Sequence, residues 1–268
     1  GRLDPARASF LPDDGPGRYR ELDGGSDFYA SQTMTTPDGR VVMVAWMQMW
    51  KRTMPTAPEG WAGAMTFPRE LSYERGELVQ RPVRELERYR SGTVVVRDRV
   101  VNGIASFPGV EGKVCELELE LDMGGATVFG VRLFMSPRTE NDPPAYAELC
   151  YDREAGALTL DRSRAPVAVR STDRREAGCD VRTTSLISGP SGSPGPCVEG
   201  RPGEARLVLR ILLDRTSIEA FAGGGVRTMT SLYYAPDDHE GIEFFSDGSA
   251  RIVELRKHVI TMARPASL

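Results

Sequence analysis

Asp23 and Asp27 stand four residues apart in the run Asp23-Gly24-Gly25-Ser26-Asp27-Phe28-Tyr29, a Gly-rich bend that mixes carboxylates with aromatic faces. That mixture suits a polyol: carboxylates accept hydrogen bonds from hydroxyls, and rings cover the apolar face of a sugar. Two carboxyl groups could also cleave one, since retaining glycoside hydrolysis needs a nucleophile and an acid/base about 5 to 5.5 Å apart. Only a helical bend would bring Asp23 and Asp27 onto one face, and Gly24-Gly25 opposes a helix. Binding of sugar hydroxyls, or capping of the turn, is the expected role of both, and no catalytic residue is assigned. Trp46, near the end of the next apolar run, could floor a sugar pocket, with Tyr29 as a second ring.

Other chemistries find little support. His239 and His258 lack a His, Cys or Asp partner at metal-ligand spacing, so neither a metal site nor a His-based triad is expected. Gly223-Gly224-Gly225 lacks the Lys and helix of a phosphate cradle and reads as a hairpin turn. No cofactor is expected. Pro68-Arg69-Glu70-Leu71 suits a buried or half-buried ion pair locking a turn. Asp214, Arg215 and Glu219 suit a solvated face or ion pairs between domains, and so does Leu160-Asp161-Arg162-Ser163.

The elements that must position these residues are all strands. Thr36-Pro37-Asp38-Gly39-Arg40 is a turn signal, because Asp-Gly supplies a positive φ at little cost. It predicts a hairpin between Gln32-Thr33-Met34 and Val41 to Met47, the latter an apolar run expected to be buried on both faces. Further short runs around Met65, Leu71 and Leu78 complete about one propeller blade of four strands, and Pro82 to Arg90 could form a short helix as linker. Beyond Ser91 the pattern alternates: Cys115, Leu117, Leu119 and Leu121 face one way and Glu116, Glu118 and Glu120 the other. Similar runs recur at Val128 to Met135, Tyr146 to Tyr151, Arg206 to Leu213, Ser217 to Phe221, Arg227 to Tyr234, Ile242 to Phe245 and Arg251 to Leu255, which predicts a β-sandwich. Ser188 to Gly203 reads as a long Gly/Pro loop.

Composition agrees with a folded chain. At 268 residues there is room for two cores, and 27% charged with 40% apolar residues fits a globular class. A net charge of -4 with interspersed signs predicts no nucleic-acid partner and no membrane-surface patch. Cys115 and Cys150 lie in alternating apolar runs and read as free buried thiols, whereas Cys179 and Cys197 bracket a loop and could pair if secreted. The compartment is left open, with the cytoplasm favoured over secretion.

The order D-x-G-x-D-F-Y-A-x-Q, a G-R strand ending in Trp46, and G-W-x-G-x-M-x-x-P-R-E-L over Gly60 to Leu71 resembles glycoside hydrolase family 32, the β-fructofuranosidases. Leu212 to Phe221 is similar to a signature in that family's C-terminal sandwich. The resemblance implies an all-β fold, hydrolysis of β-fructosidic bonds in sucrose or fructans by a retaining mechanism, and a sugar pocket bordered by Asp23 and Trp46. It also implies a nucleophile in N-D-P-N-G, a stabilising Asp in R-D-P and an acid/base in E-C, ahead of Asp23; the chain contains none of these three strings.

The expectation is therefore the C-terminal portion of such an enzyme: the last part of a five-bladed propeller over residues 1–85, incomplete, and a sandwich over 86–268. Its expected partners are sucrose or another β-fructoside and a missing N-terminal propeller half or second chain. Alone it should not cleave substrate; the alternative is a non-catalytic carbohydrate-binding or accessory sandwich.

Overall fold

The computed structural model describes residues 1–12, 20–139, 142–171, 180–186, 198–199 and 206–261. Two short strands, β1 (Arg2–Asp4) and β2 (Ser9–Leu11), pair as an antiparallel hairpin. An antiparallel sheet follows in chain order: β3 (Tyr29–Thr35), β4 (Val41–Trp46), β5 (Arg69–Glu74) and β6 (Glu77–Pro82). The Thr36–Arg40 turn closes the first hairpin as its residue types predict, with Gly39 at φ +84°. Strand β4 differs from expectation. Met43 and Ala45 are buried, while Val41 is 38% exposed and Val42, Val44 and Trp46 are half-buried, so the run is fully buried on one face and only half-buried on the other.

Arg84–Tyr89 forms a 3-10 helix that lays Leu86 against the rest of the chain. Beyond it lie β7 (Arg90–Ala105), β8 (Cys115–Asp122), β9 (Val128–Met135), β10 (Tyr146–Asp152), β11 (Ala157–Arg164), β12 (Val181–Ser185), β13 (Val198–Glu199), β14 (Arg206–Asp214), β15 (Ser217–Ala222), β16 (Arg227–Leu232) and β17 (Gly241–Ile260). The two runs read separately as Ile242 to Phe245 and Arg251 to Leu255 are one strand. Its first part pairs with β9 and its second with β8, with a register shift between Ser246 and Ala250. Such a bulge lets a single strand pass from one layer of a sandwich to the other. Strand β7 follows it along its length and turns at Gly103, φ +80°.

The core lies between the layers, where Leu117, Leu119 and Leu121 of β8 meet Phe129 and Val131 of β9, Leu149 of β10, Ile211 of β14 and Phe244 of β17. The alternation of β8 is borne out, with its leucines in this core and Glu116, Glu118 and Glu120 on the outer face. Two smaller clusters weld the four-stranded sheet to the sandwich. Met47 and Met54 pack on Val169, Leu232 and Tyr234. Val83 and Leu86 pack on Leu212 and Phe221, with Val42 and Phe67 alongside. Each fully buried side chain of this kind contributes about 1.5 to 3 kcal/mol. Of the Ser188 to Gly203 loop only Val198 and Glu199 are described, paired with Leu207 and Arg206; Cys179 and Cys197 lie outside the described residues.

Candidate functional site

The bend from Asp23 to Asp27 does not stand open as a cleft. It runs along β16 like an added strand: the amide of Gly24 donates to the Thr228 carbonyl at 2.8 Å and that of Asp27 to the Thr230 carbonyl at 3.1 Å. Gly25 is required by this contact, because a Cβ there would lie 2.0 Å from the Thr230 carbonyl oxygen. The bend is thereby sandwiched between the four-stranded sheet and the sandwich, and both aspartates point inward.

Asp23 accepts hydrogen bonds from the amide and hydroxyl of Thr230, both at 2.8 Å, and from the Thr228 hydroxyl at 2.9 Å. It also pairs with Arg69 of β5 at 2.9 Å. The same guanidinium donates to Glu219 of β15 at 2.6 Å and to Gln80 of β6 at 2.9 Å. The side chains of Asp23, Arg69 and Glu219 are all 0% exposed. Phe28 and Phe221 cover the guanidinium, with ring centres 5.1 and 5.0 Å from its carbon. Burial opposes the charge on Arg69, but Glu219 and Asp23 outweigh it and hold the guanidinium above its ordinary range. Burial pushes Glu219 up, against the pull of Arg69 and of the Phe67 amide.

Asp27 forms a second buried centre. It accepts from Arg52 and Arg162, and from the Leu232 amide at 2.9 Å. Arg162 also donates to the Leu232 carbonyl at 2.8 Å, so the guanidinium ties β11 to β16 as well as to the bend. Arg69 thus pairs with Asp23 of its own domain and with Glu219 across the domain boundary, and not with its neighbour Glu70, which binds Arg40 on the surface. For Glu219 and Arg162, ion pairing between the two parts of the chain is what the structure displays.

The rings behave differently. Tyr29 and Trp46 face each other across the β3–β4 pairing, with centres 6.5 Å apart. Trp50 closes the group edge-on, 5.8 Å from Trp46 and 6.3 Å from Tyr29. Tyr29 is 39% and Trp50 71% exposed, so this trio forms an accessible aromatic surface two residues beyond Asp27. The structure therefore separates the four residues singled out in the sequence: Tyr29 and Trp46 share a surface, while Asp23 and Asp27 sit in two buried ion-pair centres. Arg52 carries no signal in the sequence, because its partner is 25 residues away and no periodic pattern marks the loop that holds it. The alternation Thr228-x-Thr230 was the only local hint of the groups that receive Asp23. Among the described residues no three His, Cys, Asp or Glu side chains come together as metal ligands.

Residues 1–82 match the family model for the glycosyl hydrolases family 32 N-terminal domain, and residues 85–259 match that for its C-terminal domain. A raffinose invertase of Escherichia coli is 32% identical over 232 residues, covering 86% of this chain and 41% of its own length. A sucrose-6-phosphate hydrolase structure from Lactobacillus gasseri superimposes with a TM-score of 0.67 at 25% identity, over 90% of this chain and 42% of that one. Fructan 1-exohydrolase IIa from Cichorium intybus shares the fold at a TM-score of 0.78 and 21% identity, over 98% of this chain and 54% of that one. The chain spans about two-fifths of the length of the curated relatives, 41% and 42% for two from Escherichia coli.

These matches correct three expectations. The chain is not a C-terminal portion alone, because residues 1–82 fall in the family's N-terminal domain. The all-β architecture, propeller-type sheet and sandwich together, extends over nearly the whole chain and is not confined to the last part of a propeller. A missing N-terminal half or second chain is accordingly withdrawn as a partner, since both domain types are represented.

Proposed function

The chain belongs to glycosyl hydrolase family 32, and from that premise we propose that it serves a glycosidase acting on sucrose-type or fructan substrates, in which this polypeptide binds the fructoside at the Tyr29–Trp46–Trp50 surface. The observation that carries the reading is the exposure of that ring cluster beside a bend whose carboxylates are buried. Aromatic faces cover the apolar side of a sugar, and Tyr29 and Trp46 add a hydroxyl and an indole N–H for its rim. Asp23 and Asp27 are positioning residues in this reading: their buried salt bridges fix the bend that delivers Tyr29.

Hydrolysis by residues 1–268 alone is not part of the proposal. A retaining mechanism needs a nucleophile and an acid/base that reach the substrate. Asp23 and Asp27 are each held by arginine with no exposed side-chain surface, and the N-D-P-N-G, R-D-P and E-C strings are absent. Titration of sucrose and nystose into the purified chain, followed by tryptophan fluorescence, tests the binding, with a reducing-sugar assay run in parallel. Saturable quenching that Trp46→Ala removes is expected, with no sugar release above a buffer blank. Turnover by the wild type, or quenching unchanged in Trp46→Ala, would refute it.

A further inference from the structure

A groove of about 340 Å³ lies between β6 and the outer face of β8 and β14, within the range of about 300 to 1000 Å³ typical of small-molecule sites. It is reached from the β6 edge of the four-stranded sheet, whereas the aromatic cluster lies at β3, β4 and the turn that follows β4. Its end is fixed by glycine. At Gly225, φ +101°, a Cβ would lie 2.0 Å from the Gln80 carbonyl oxygen, so the backbones of the two domains touch there.

Three guanidinium groups, Arg81, Arg210 and Arg256, line the groove together with three carboxylates, Glu118, Glu120 and Glu254. The charges balance, and each carboxylate already has a cation: Arg90 at 2.8 Å on Glu118, Arg206 on Glu120 and Arg256 on Glu254. A charged ligand would leave one sign uncompensated, whereas hydroxyl groups can accept from guanidinium and donate to carboxylate without disturbing the pairs. Pro82, Val208 and Phe221 supply an apolar floor. Arg210 donates through Nε to buried Glu116, and its Nη2 is buried without a hydrogen-bond partner among the described residues. A buried donor left so is destabilising, and an acceptor arriving in the groove would satisfy it after a small side-chain shift.

We propose that this groove is a second carbohydrate site, taking a neutral oligosaccharide. The groove stands on its own geometry; only the choice of a fructan as probe rests on the reading above. The test titrates nystose calorimetrically into the wild-type chain, Trp46→Ala, and the exposed-pair variant Arg256→Ala/Glu254→Ala, with Val208→Trp as an independent block. Circular dichroism checks that each is folded. Two binding events in the wild type are the expected result, of which Trp46→Ala keeps the groove one and both groove variants keep the aromatic one with the groove one weakened at least tenfold. Loss in Trp46→Ala with full retention in the groove variants overturns the groove site and leaves the aromatic one. Loss confined to the groove variants supports the groove and sinks the aromatic reading. No binding by the wild type at millimolar nystose, or tighter binding of a sugar phosphate than of nystose in the groove, overturns the proposal.

Discussion

Arg69 of β5 and Glu219 of β15 meet across the domain boundary at 2.6 Å with both side chains fully buried. Asp23 reaches another edge of the same guanidinium, at Nη1, so one cation answers two carboxylates drawn from distant parts of the chain. A charge taken out of water is tolerated only when paired and hydrogen-bonded. The correct register of the four-stranded sheet, the bend and β15 is therefore the arrangement in which all three charges are satisfied.

Removing the cation should be the most damaging single change at this interface. Arg69→Met leaves Asp23 and Glu219 buried without their partner and should cost about 3 to 5 kcal/mol. Urea unfolding monitored by tryptophan fluorescence measures it. A loss below about 1 kcal/mol would mean that water reaches the carboxylates and that the centre is not sealed.

The two kinds of residue in the candidate site should part company in the same assay. Asp27→Ala strips Arg52 and Arg162 of a shared carboxylate and should lower stability by several kcal/mol, about the cost of breaking a buried pair. Tyr29→Ala, at a 39% exposed position, should change stability little and weaken fructoside binding. If Asp27→Ala instead keeps wild-type stability and loses only sugar affinity, the aspartate contacts substrate directly.

Much of this was legible in the sequence wherever a local period carried it. Cys115 to Leu121 alternates, so its buried and outer faces could be assigned at once. The Asp38-Gly39 turn and the Gly24-Gly25 break were equally readable, because glycine's freedom is a local property. What stayed hidden depends on distant partners. Strand β7 is mostly exposed and has little alternation; its place is set by pairing with β17. The inward direction of Asp23 and Asp27 follows from Thr230, Leu232, Arg69 and Arg162, none of them near in sequence. A carboxylate on a Gly-rich bend reads the same whether it faces a sugar or an arginine.

Acid should weaken the contact between β6 and β16 in a traceable way. Burial pushes the Glu77 carboxyl up, but Arg227 and Arg20 outweigh it and hold it below the ordinary carboxylate range. With the folded value depressed, the group contributes stability above its unfolded value of about 4.3 and loses it as pH falls through the folded one. Glu77→Gln should therefore show a shallower decline of unfolding free energy below about pH 4.5 than the wild type. The difference in slope is bounded at about 1.4 kcal/mol per pH unit. Parallel acid limbs in the two proteins would show that Glu77 titrates alike folded and unfolded.

The described thiols should be inert until the sandwich opens. Burial pushes Cys115 up to about 12 and Cys150 up to about 11, so neither carries appreciable thiolate at neutral pH. Iodoacetamide at pH 7.5, followed by peptide mapping, should leave both unmodified in the native chain and label both in denaturant. Rapid native labelling of Cys115 would place β8 outside the core.

The last expectation concerns the glycine on which the bend's position rests. Gly25 lies so close to β16 that a Cβ would stand 2.0 Å from the Thr230 carbonyl oxygen and 2.2 Å from its nitrogen, distances no side chain can occupy. The obstacle is backbone, which cannot swing aside as a side-chain tip would. In Gly25→Ala the bend must therefore lift, and the amide bonds of Gly24 and Asp27 to β16 must lengthen. Overpacking of this kind costs about 1 to 3 kcal/mol. Because Asp23 and Asp27 ride on the same bend, both buried ion-pair centres should loosen together. Hydrogen exchange reads this directly: the amides of Thr230 and Leu232, which donate to Asp23 and Asp27, should exchange faster in Gly25→Ala, while core amides of β8 keep their protection. Equal protection of Thr230 and Leu232 in both proteins would mean that the bend does not depend on its contact with β16.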